Sequence, residues 1–302
     1  MIADYSEPMF DILFFYIPHA DERVAKTNYA LMHLMLCSAR AVGFDGEFIF
    51  YTHESARLPD DLPVSRTVRI APDGVPAADV MLLKAYAHHH FVHSDLFTRP
   101  ALSVEADQLF QASPMEAFDL PFDIGITYPH WAKEISGDFG KINGGVTYFN
   151  SEDIAAVRSY FSAYIATFLA IRDETDQRYP RRPRLAERGG GEITHLRMLP
   201  PHAFDDHGQE RRCFTVAGAR VMLLEAARFN CQQGERDGED IVFRHYPDAI
   251  IRHFNGWRKK IIPEYAMKFL NLKMEPSDEN SWGTRVIDLS PGEGKAVPGP
   301  RP

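Results

Sequence analysis

The sequence predicts an α/β domain, and three features predict it. The chain opens as strand, helix, strand; a second helical stretch leads into an apolar run that ends in two acids; short apolar runs then recur as far as residue 251. Period-3.6 segments alternating with brief apolar runs are the pattern of helices packed on a sheet.

Asp11-Ile12-Leu13-Phe14-Phe15-Tyr16-Ile17 is apolar almost throughout and is stopped by Pro18, as expected of a strand buried on both faces. From about Ala25 to Val42, Ala30, Leu31, Leu34, Met35 and Ala39 recur at helical spacing, and Gly43 supplies the stop. Glu47 to Thr52 gives the second strand and completes a βαβ pattern. Residues 77 to 94 repeat the helical spacing through Val80, Leu83, Lys84, Ala87 and Phe91, and Arg99 to Val104 follows as a strand. Phe122–Thr127 and Gly145–Phe149 read as strands, Ala155–Ile171 as an apolar-faced helix, and Val221–Leu224 and Ala249–Ile251 as the last strong strands. Asp173–Gly191, rich in charge, Pro and Gly, reads as a mobile surface loop able to close over a substrate.

At 302 residues, with 45% hydrophobic and 25% charged side chains, the chain has the composition of an ordinary globular protein. One domain over 1–289 is expected, with 290–302, which holds four prolines and three glycines, as a disordered tail. A formal charge of −9 argues against a nucleic-acid binder, so any phosphate binding must be local. Cys37, Cys213 and Cys231 are too few and too scattered for a disulfide framework, which points to a reducing, cytoplasmic setting. The start of the chain shows no signal-peptide pattern, and no apolar stretch reads as long enough to span a bilayer. The run Trp257-Arg258-Lys259-Lys260-Ile261-Ile262 mixes bases with apolar residues, which fits either peripheral membrane contact or a solvated loop.

Two distant segments carry the chemistry. Glu105 and Asp107 flank Ala106 where a strand ends, the edge at which open α/β sheets collect ligands. Both acids can enter one mouth only if the chain turns at Ala106, and a divalent cation would then relieve their repulsion while bridging to phosphate. Acids also stand at strand ends simply because they are solvated there. His253 follows Ile250-Ile251-Arg252, with Gly256 and Lys259 close behind. A lone histidine is more often structural than a ligand, but a glycine that lets backbone approach a phosphate and a lysine in reach of the same anion change its meaning. An imidazole with two carboxylates suits Mn²⁺ better than Mg²⁺. His88-His89-His90-Phe91-Val92-His93 puts His89 and His93 at zinc-compatible i, i+4 spacing, yet with no third ligand in sight the run reads as a solvated helix face.

These residues resemble a known family. His253-Phe254-x-Gly256-x-x-Lys259 resembles the C-terminal HFxGxxK signature of the glycogenin-like glycosyltransferases, glycosyltransferase family 8, and Glu105-Ala106-Asp107 resembles a variant of their DxD motif. Asn143-Gly144-Gly145-Val146 is similar to the family's NxG segment, and Arg228-Phe229-Asn230 to its Tyr-Asn segment before the final strand. The order and spacing agree over roughly residues 11 to 262. Three positions depart from the pattern: Glu105 replaces the first aspartate, Gly190-Gly191-Glu192 matches the Gly-Asp-Gln segment loosely, and Lys260 and Ile261 replace the proline and tryptophan after the lysine.

The resemblance implies a GT-A fold, a single Rossmann-like domain with a mixed sheet, and transfer of a sugar from a nucleotide-diphosphate donor, usually uridine diphosphate linked, with retention. It implies Glu105, Asp107 and His253 as ligands of Mn²⁺ or Mg²⁺, and Gly256 and Lys259 as diphosphate contacts. By the same likeness Lys84 is a helical base contacting the donor, Asn143 and Gly144 lie beside the sugar, and Tyr16 and Asn28 meet the base and ribose. Glu192 or Asp123 would assist the chemistry. The acceptor, a surface polysaccharide, small metabolite or protein, would meet the loops at 128–140 and 173–212, where Tyr128, His130 and Trp131 suit stacking on a sugar. Two other readings stand beside this one. A sugar-phosphate nucleotidyltransferase would need a glycine-rich loop after the first strand, and Pro18 to Arg23 has no glycine. A degenerate relative would bind nucleotide or glycan without turnover.

Overall fold

The computed structural model describes residues 10–128, 142–178, 184–200, 203, 212–232, 235–237, 240–242, 246–254, 256–279 and 283–290. In chain order the first half contains β1 (Asp11–Phe15), α1 (Glu22–Ala41), β2 (Phe48–His53), β3 (Arg66–Ile70), α2 (Val80–His93), β4 (Ala101–Val104), β5 (Gln108–Phe110), α3 (Met115–Phe118), β6 (Ile124–Tyr128) and β7 (Asn143–Phe149). The second half contains α4 (Ile154–Arg178), α5 (Arg184–Met198), β8 (Arg212–Val216), β9 (Ala219–Glu225), α6 (Ala226–Phe229), β10 (Glu235–Asp237), β11 (Asp240–Val242) and β12 (Ile251–His253). A 3₁₀ turn (Gly256–Ile261), α7 (Ile262–Leu270), β13 (Leu272–Pro276) and β14 (Thr284–Asp288) complete it.

Eight strands form one sheet in the order β3-β2-β1-β4-β7-β6-β9-β8. It is mixed, as expected: β1 is parallel to β2 and β4, whereas β7 runs antiparallel to both β4 and β6. The uninterrupted apolar runs have a direct cause. Along β1, Ile12 and Phe14 enter the core on the α1 side while Leu13 enters the core on the α2, α4 and α5 side; β2 divides Phe48 and Phe50 from Ile49 and Tyr51 in the same way. With helices on both faces, each strand residue is buried whichever way it points. A third core joins Leu31 and Leu34 of α1 to Phe254, Ile262, Tyr265 and Leu272.

Helix ends follow local chemistry. Asp21 caps α1 by accepting from Arg23 N at 2.9 Å, and Gly43 leaves the helix at φ +88°, a conformation that glycine adopts without a Cβ clash. Asp79 caps α2 through Leu82 N and is itself held by Arg172 at 2.7 Å.

Several expectations need correction. Residues 173–178 and 184–191 are helical, in α4 and α5, so these parts of Asp173–Gly191 are not the surface loop expected, and 179–183 lie outside the described residues. Gly191 fits because α5 passes close to α4 there: a Cβ on it would lie 3.1 Å from the Tyr164 hydroxyl, which donates to Gly191 O. Ala249 and Ile250 precede the strand rather than form it, and β12 pairs with β5 in a separate ribbon. One stretch does meet the length and hydropathy of a membrane span, Ile154–Asp173 in α4. Its Val157, Tyr160, Phe161, Tyr164 and Phe168 are buried in the core of this fold, so the apolar composition is used for packing. Likewise, in the Trp257–Ile262 run, Ile262 is buried and Ile261 packs on the third core. The loop positions His130 and Trp131 and the tail 291–302 lie outside the described residues.

The histidine run is only partly a solvated face. His88 is buried, bonded to Ser103 Oγ at 2.8 Å and set edge-on against Phe149 and Phe161, whereas His89 and His93 stack at 4.1 Å. Across the same layer His195 Nδ1 meets the Tyr160 hydroxyl at 2.6 Å. Burial, helped by the charge of Lys84, pulls the His195 pKa down to about 3, and burial lowers that of His88 as well. Because an unfolded histidine titrates near pH ~6.5, the unfolded chain binds more protons below that value. The stability these residues lend is therefore complete above about pH 6.5 and is lost as pH falls toward about 3. Urea denaturation from pH 7 to 4 should show this loss, and His195→Gln should flatten the profile; an unchanged slope in that variant would remove His195 as a cause.

Candidate active site

The site is built where β4 ends. After Val104 the chain turns at Ala106 and Asp107 and returns as β5, so the turn that the two acids required is present. Ala106 packs on the α1-side core, and Glu105 and Asp107 are left facing one mouth. β12 pairs antiparallel with β5, placing His253 opposite Gln108, and Phe254 N donates to Asp107 O at 2.9 Å. Backbone pairing therefore delivers an imidazole from late in the chain to the acids near its middle.

His253 Nε2 lies 3.2 Å from Glu105 Oε2 and 3.4 Å from Asp107 Oδ1, yet it forms no well-aligned hydrogen bond. On the other side of the ring Nδ1 lies 2.9 Å from Asn230 Oδ1 and 3.0 Å from Gln232 Nε2. A proton on Nδ1 serves the Asn230 carbonyl and aims Nε2 at the carboxylates, where it carries a second proton in the cation-free protein and, once that proton is lost, offers the lone pair a metal ligand needs. Asn230 is fixed in turn by donating to Thr127 Oγ1 at 2.9 Å.

Two lysines complete the ring of charge. Lys84 on α2 reaches Glu105 Oε1 at 2.8 Å and Gly144 O at 3.1 Å; Lys259 reaches Asp107 Oδ2 at 2.9 Å. Burial works to raise both acid pKa values, but Lys84 and His253 hold Glu105 well below the usual range, and His253 and Lys259 hold Asp107 down. Burial also disfavours a charged His253, yet the carboxylates of Asp107 and Glu105 beside the ring outweigh it and push its pKa up to about 9.

Ligand atoms of Glu105, Asp107 and His253 all lie within 4.8 Å of one another, the one such three-residue grouping among the described residues. Ligands bound at about 2.1 Å to a common ion stand roughly 3.0 to 3.5 Å apart, close to the two Nε2 separations. With its buried, unsatisfied Nε2 and two hard oxygens, this donor set fits a divalent cation.

Behind the acids lies a cavity of about 80 Å³ walled in part by Asn143, Gly144, Glu192, Tyr164, His195 and His253. Asn143 Oδ1 accepts from Gly145 N at 3.1 Å, while its buried Nδ2 has no partner. Glu192 Oε1 accepts from Gly144 N at 3.3 Å; burial raises its pKa against the pull of that N–H. On the outer side, a groove of about 500 Å³ between α1 and α7 is lined by Lys26, Asn28, Leu31, Lys259, Lys260 and Met274. Asn28 Nδ2 donates to the Tyr16 hydroxyl at 2.9 Å at the end of β1. Gly256 takes φ +64°, and the turn it permits precedes the short helix that brings Lys259 back over Asp107.

The structure thus gathers Lys84, Glu105, Asp107, Asn143, Gly144, Glu192, His253 and Lys259 in one region. Asp123 is the exception and the correction. It stands before β6, at the end of the strands opposite the site, where Arg220 clamps it through its backbone N at 2.7 Å and through its guanidinium, also at 2.7 Å. Its acidity is spent on tying β6 to β9, so it is a structural carboxylate. Sequence reasoning did not single out Gln108, which donates to Gly145 O at 2.8 Å, or Gly145 itself, and it gave Asn230 no role. A Cβ on Gly145 would fall 2.4 Å from His253 Cε1, and Asn230 could have been found as the polar residue that follows α6 as its C-cap.

No family model matches the sequence, and no curated protein matches it. Solved structures do. The chain is similar to solved glycosyltransferases. A glycosyltransferase involved in glycosylation of the major capsid of PBCV-1 is 11% identical, with 84% of this chain and 98% of that one covered at TM-score 0.44. Mouse xyloside xylosyltransferase 1 is 15% identical, with 82% and 97% covered at TM-score 0.45. Galactosyltransferase LgtC, solved with donor and acceptor sugar analogs, is 13% identical, with 85% and 95% covered at TM-score 0.42. At such identities and scores the functional reading rests on the site's own geometry.

Gly145→Ala tests that geometry. It should displace the His253 ring and lower divalent-cation affinity on the order of tenfold or more, the range seen when support around a ligand is lost. Gly144→Ala, whose Cβ would meet only the flexible Glu192 Cγ at 3.2 Å, should do less. Equal Mn²⁺ isotherms for Gly145→Ala and the parent chain would refute the assignment of His253.

Proposed function

We propose that the protein is a metal-dependent glycosyltransferase that moves a sugar, a uridine-diphosphate-linked hexose in the first instance, from a nucleotide donor to an acceptor hydroxyl. The observation that carries this reading is the convergence of Glu105, Asp107 and His253, with Lys259 on the open side and the Asn143–Glu192 cavity behind. A diphosphate leaving group needs a cation and a base on one side of the reacting carbon, and the sugar needs polar contacts on the other.

In this reading Asp107 and His253 hold Mn²⁺, or Mg²⁺ in its place, with Glu105 as third ligand; the ion supplies charge neutralisation to the diphosphate. Everything else falls to the chain. Tyr16 and Asn28 receive base and ribose, and the Gly256 turn and Lys259 receive the phosphates. Lys84 fixes Glu105 while remaining beside the cavity. Asn143, oriented by Gly145 N, presents its free Nδ2 to a sugar hydroxyl, and Glu192 takes a second hydroxyl or steadies the reacting ring. In front-face transfer with retention the departing phosphate can take the acceptor's proton, and Glu192 is the carboxylate in the cavity wall able to assist. The free thiols Cys37, Cys213 and Cys231 suit a cytoplasmic setting.

A panel of nucleotide sugars with Mn²⁺, read by thermal stabilisation and by donor hydrolysis, tests the proposal. Asp107→Ala and His253→Ala should each lower Mn²⁺-dependent turnover on the order of 100-fold or more, the scale of losing one transition-state contact. Near-parental rates in either variant would sink the assignment, and uridine diphosphate binding without hydrolysis of any donor would indicate a binding protein instead.

A further inference from the structure

The two carboxylates of the site divide their oxygens between two kinds of partner. Glu105 turns Oε2 to the His253 ring and gives Oε1 to Lys84; Asp107 turns Oδ1 to the same ring and gives Oδ2 to Lys259. The lysines differ in freedom. Lys84 is buried and doubly held, by Glu105 and by Gly144 O. Lys259 has a side chain 44% exposed, and among the described residues its ion-pair partner is Asp107. The same ammonium stands at the rim of the groove that runs past Asn28, with Lys26 and Lys260 beside it.

We infer that Lys259 is a resident counter-ion which opposes divalent-cation binding when the site is otherwise empty and is released by that binding to hold the donor's diphosphate. The inference rests on the function proposed above and adds a coupling to it. A carboxylate whose charge is shared with a dication attracts an ammonium less, and the like charges repel across it. Lys259, on an exposed flexible stem, can leave; Lys84 cannot. An ion pair made only in the cation-free protein stabilises that state, so it weakens the first ligand, whereas the freed ammonium strengthens the second. One residue therefore acts with opposite sign on the two ligands, which simple electrostatic padding or a purely structural role would not produce.

The test is calorimetry of Mn²⁺ alone, then of uridine diphosphate in saturating Mn²⁺, on the full chain and on Lys259→Met, Lys259→Arg, Lys260→Met and Asp107→Ala. Lys259→Met should bind Mn²⁺ about threefold more tightly than the parent, the scale of a partly exposed ion pair, and bind the nucleotide roughly tenfold more weakly. Lys259→Arg, which keeps the charge, should stay near the parent, and Lys260→Met, which removes a charge without an Asp107 contact, should move the Mn²⁺ constant less than about twofold, as expected of a screened charge. Mn²⁺ binding to Lys259→Met that is unchanged or weaker overturns the inference while leaving the proposed function intact. Failure of the parent to bind Mn²⁺, or equal binding by Asp107→Ala, overturns both.

Discussion

The molecule is organised around the cost of holding two carboxylates side by side at a largely enclosed strand end. Like charges so placed are tolerated only if positive groups reach them, and here three arrive from different parts of the chain. Lys84 comes from the helix before the acids, His253 from the β5–β12 ribbon, and Lys259 from the turn beyond it. Each delivery imposes a structural demand. The ribbon must pair in register, Gly145 must lack a side chain beside the imidazole, and Gly256 must turn through positive φ.

The surrounding polar atoms follow from the same constraint. Asn230 is fixed by Thr127, which also donates to Asn143 O at 2.9 Å, so one hydroxyl links the support of the imidazole to the strand that walls the cavity. Glu192 rests on Gly144 N, and Lys84 on the carbonyl of the same residue. The Asn143–Gly145 segment thus acts as a common frame for cavity and charge cluster, with its backbone satisfied on both sides.

Much of this was legible in the residues, for reasons that differ by element. The inner strands declared themselves because helices cover both faces, so β1 and β2 carry apolar side chains at consecutive positions. β3 did not: Arg66, Thr67 and Arg69 are exposed at the sheet's edge, and charge there masks a strand while protecting it from pairing with other chains. β5 is too short to show a period. The helix around Gly189–Gly191 was hidden because glycine is read as a breaker, whereas its value there is the close approach of α5 to Tyr164. Glu105, Asp107 and His253 were readable from their neighbours along the chain, but Asp123 looked equally chemical, and only its distance across the sheet and its Arg220 partner show that it is not. A residue such as Gln108 leaves no local mark, because its role is defined by the Gly145 carbonyl that folding brings opposite it.

The three free thiols differ sharply in access. Cys37 and Cys231 are sealed inside the protein, while Cys213 lies exposed on the outermost strand, near the Arg220 end of the sheet and away from the charge cluster. The native chain therefore carries one chemically addressable point. A maleimide dye or spin label placed there would watch ligand-driven rearrangement from the far rim without engineering a handle or crowding the mouth.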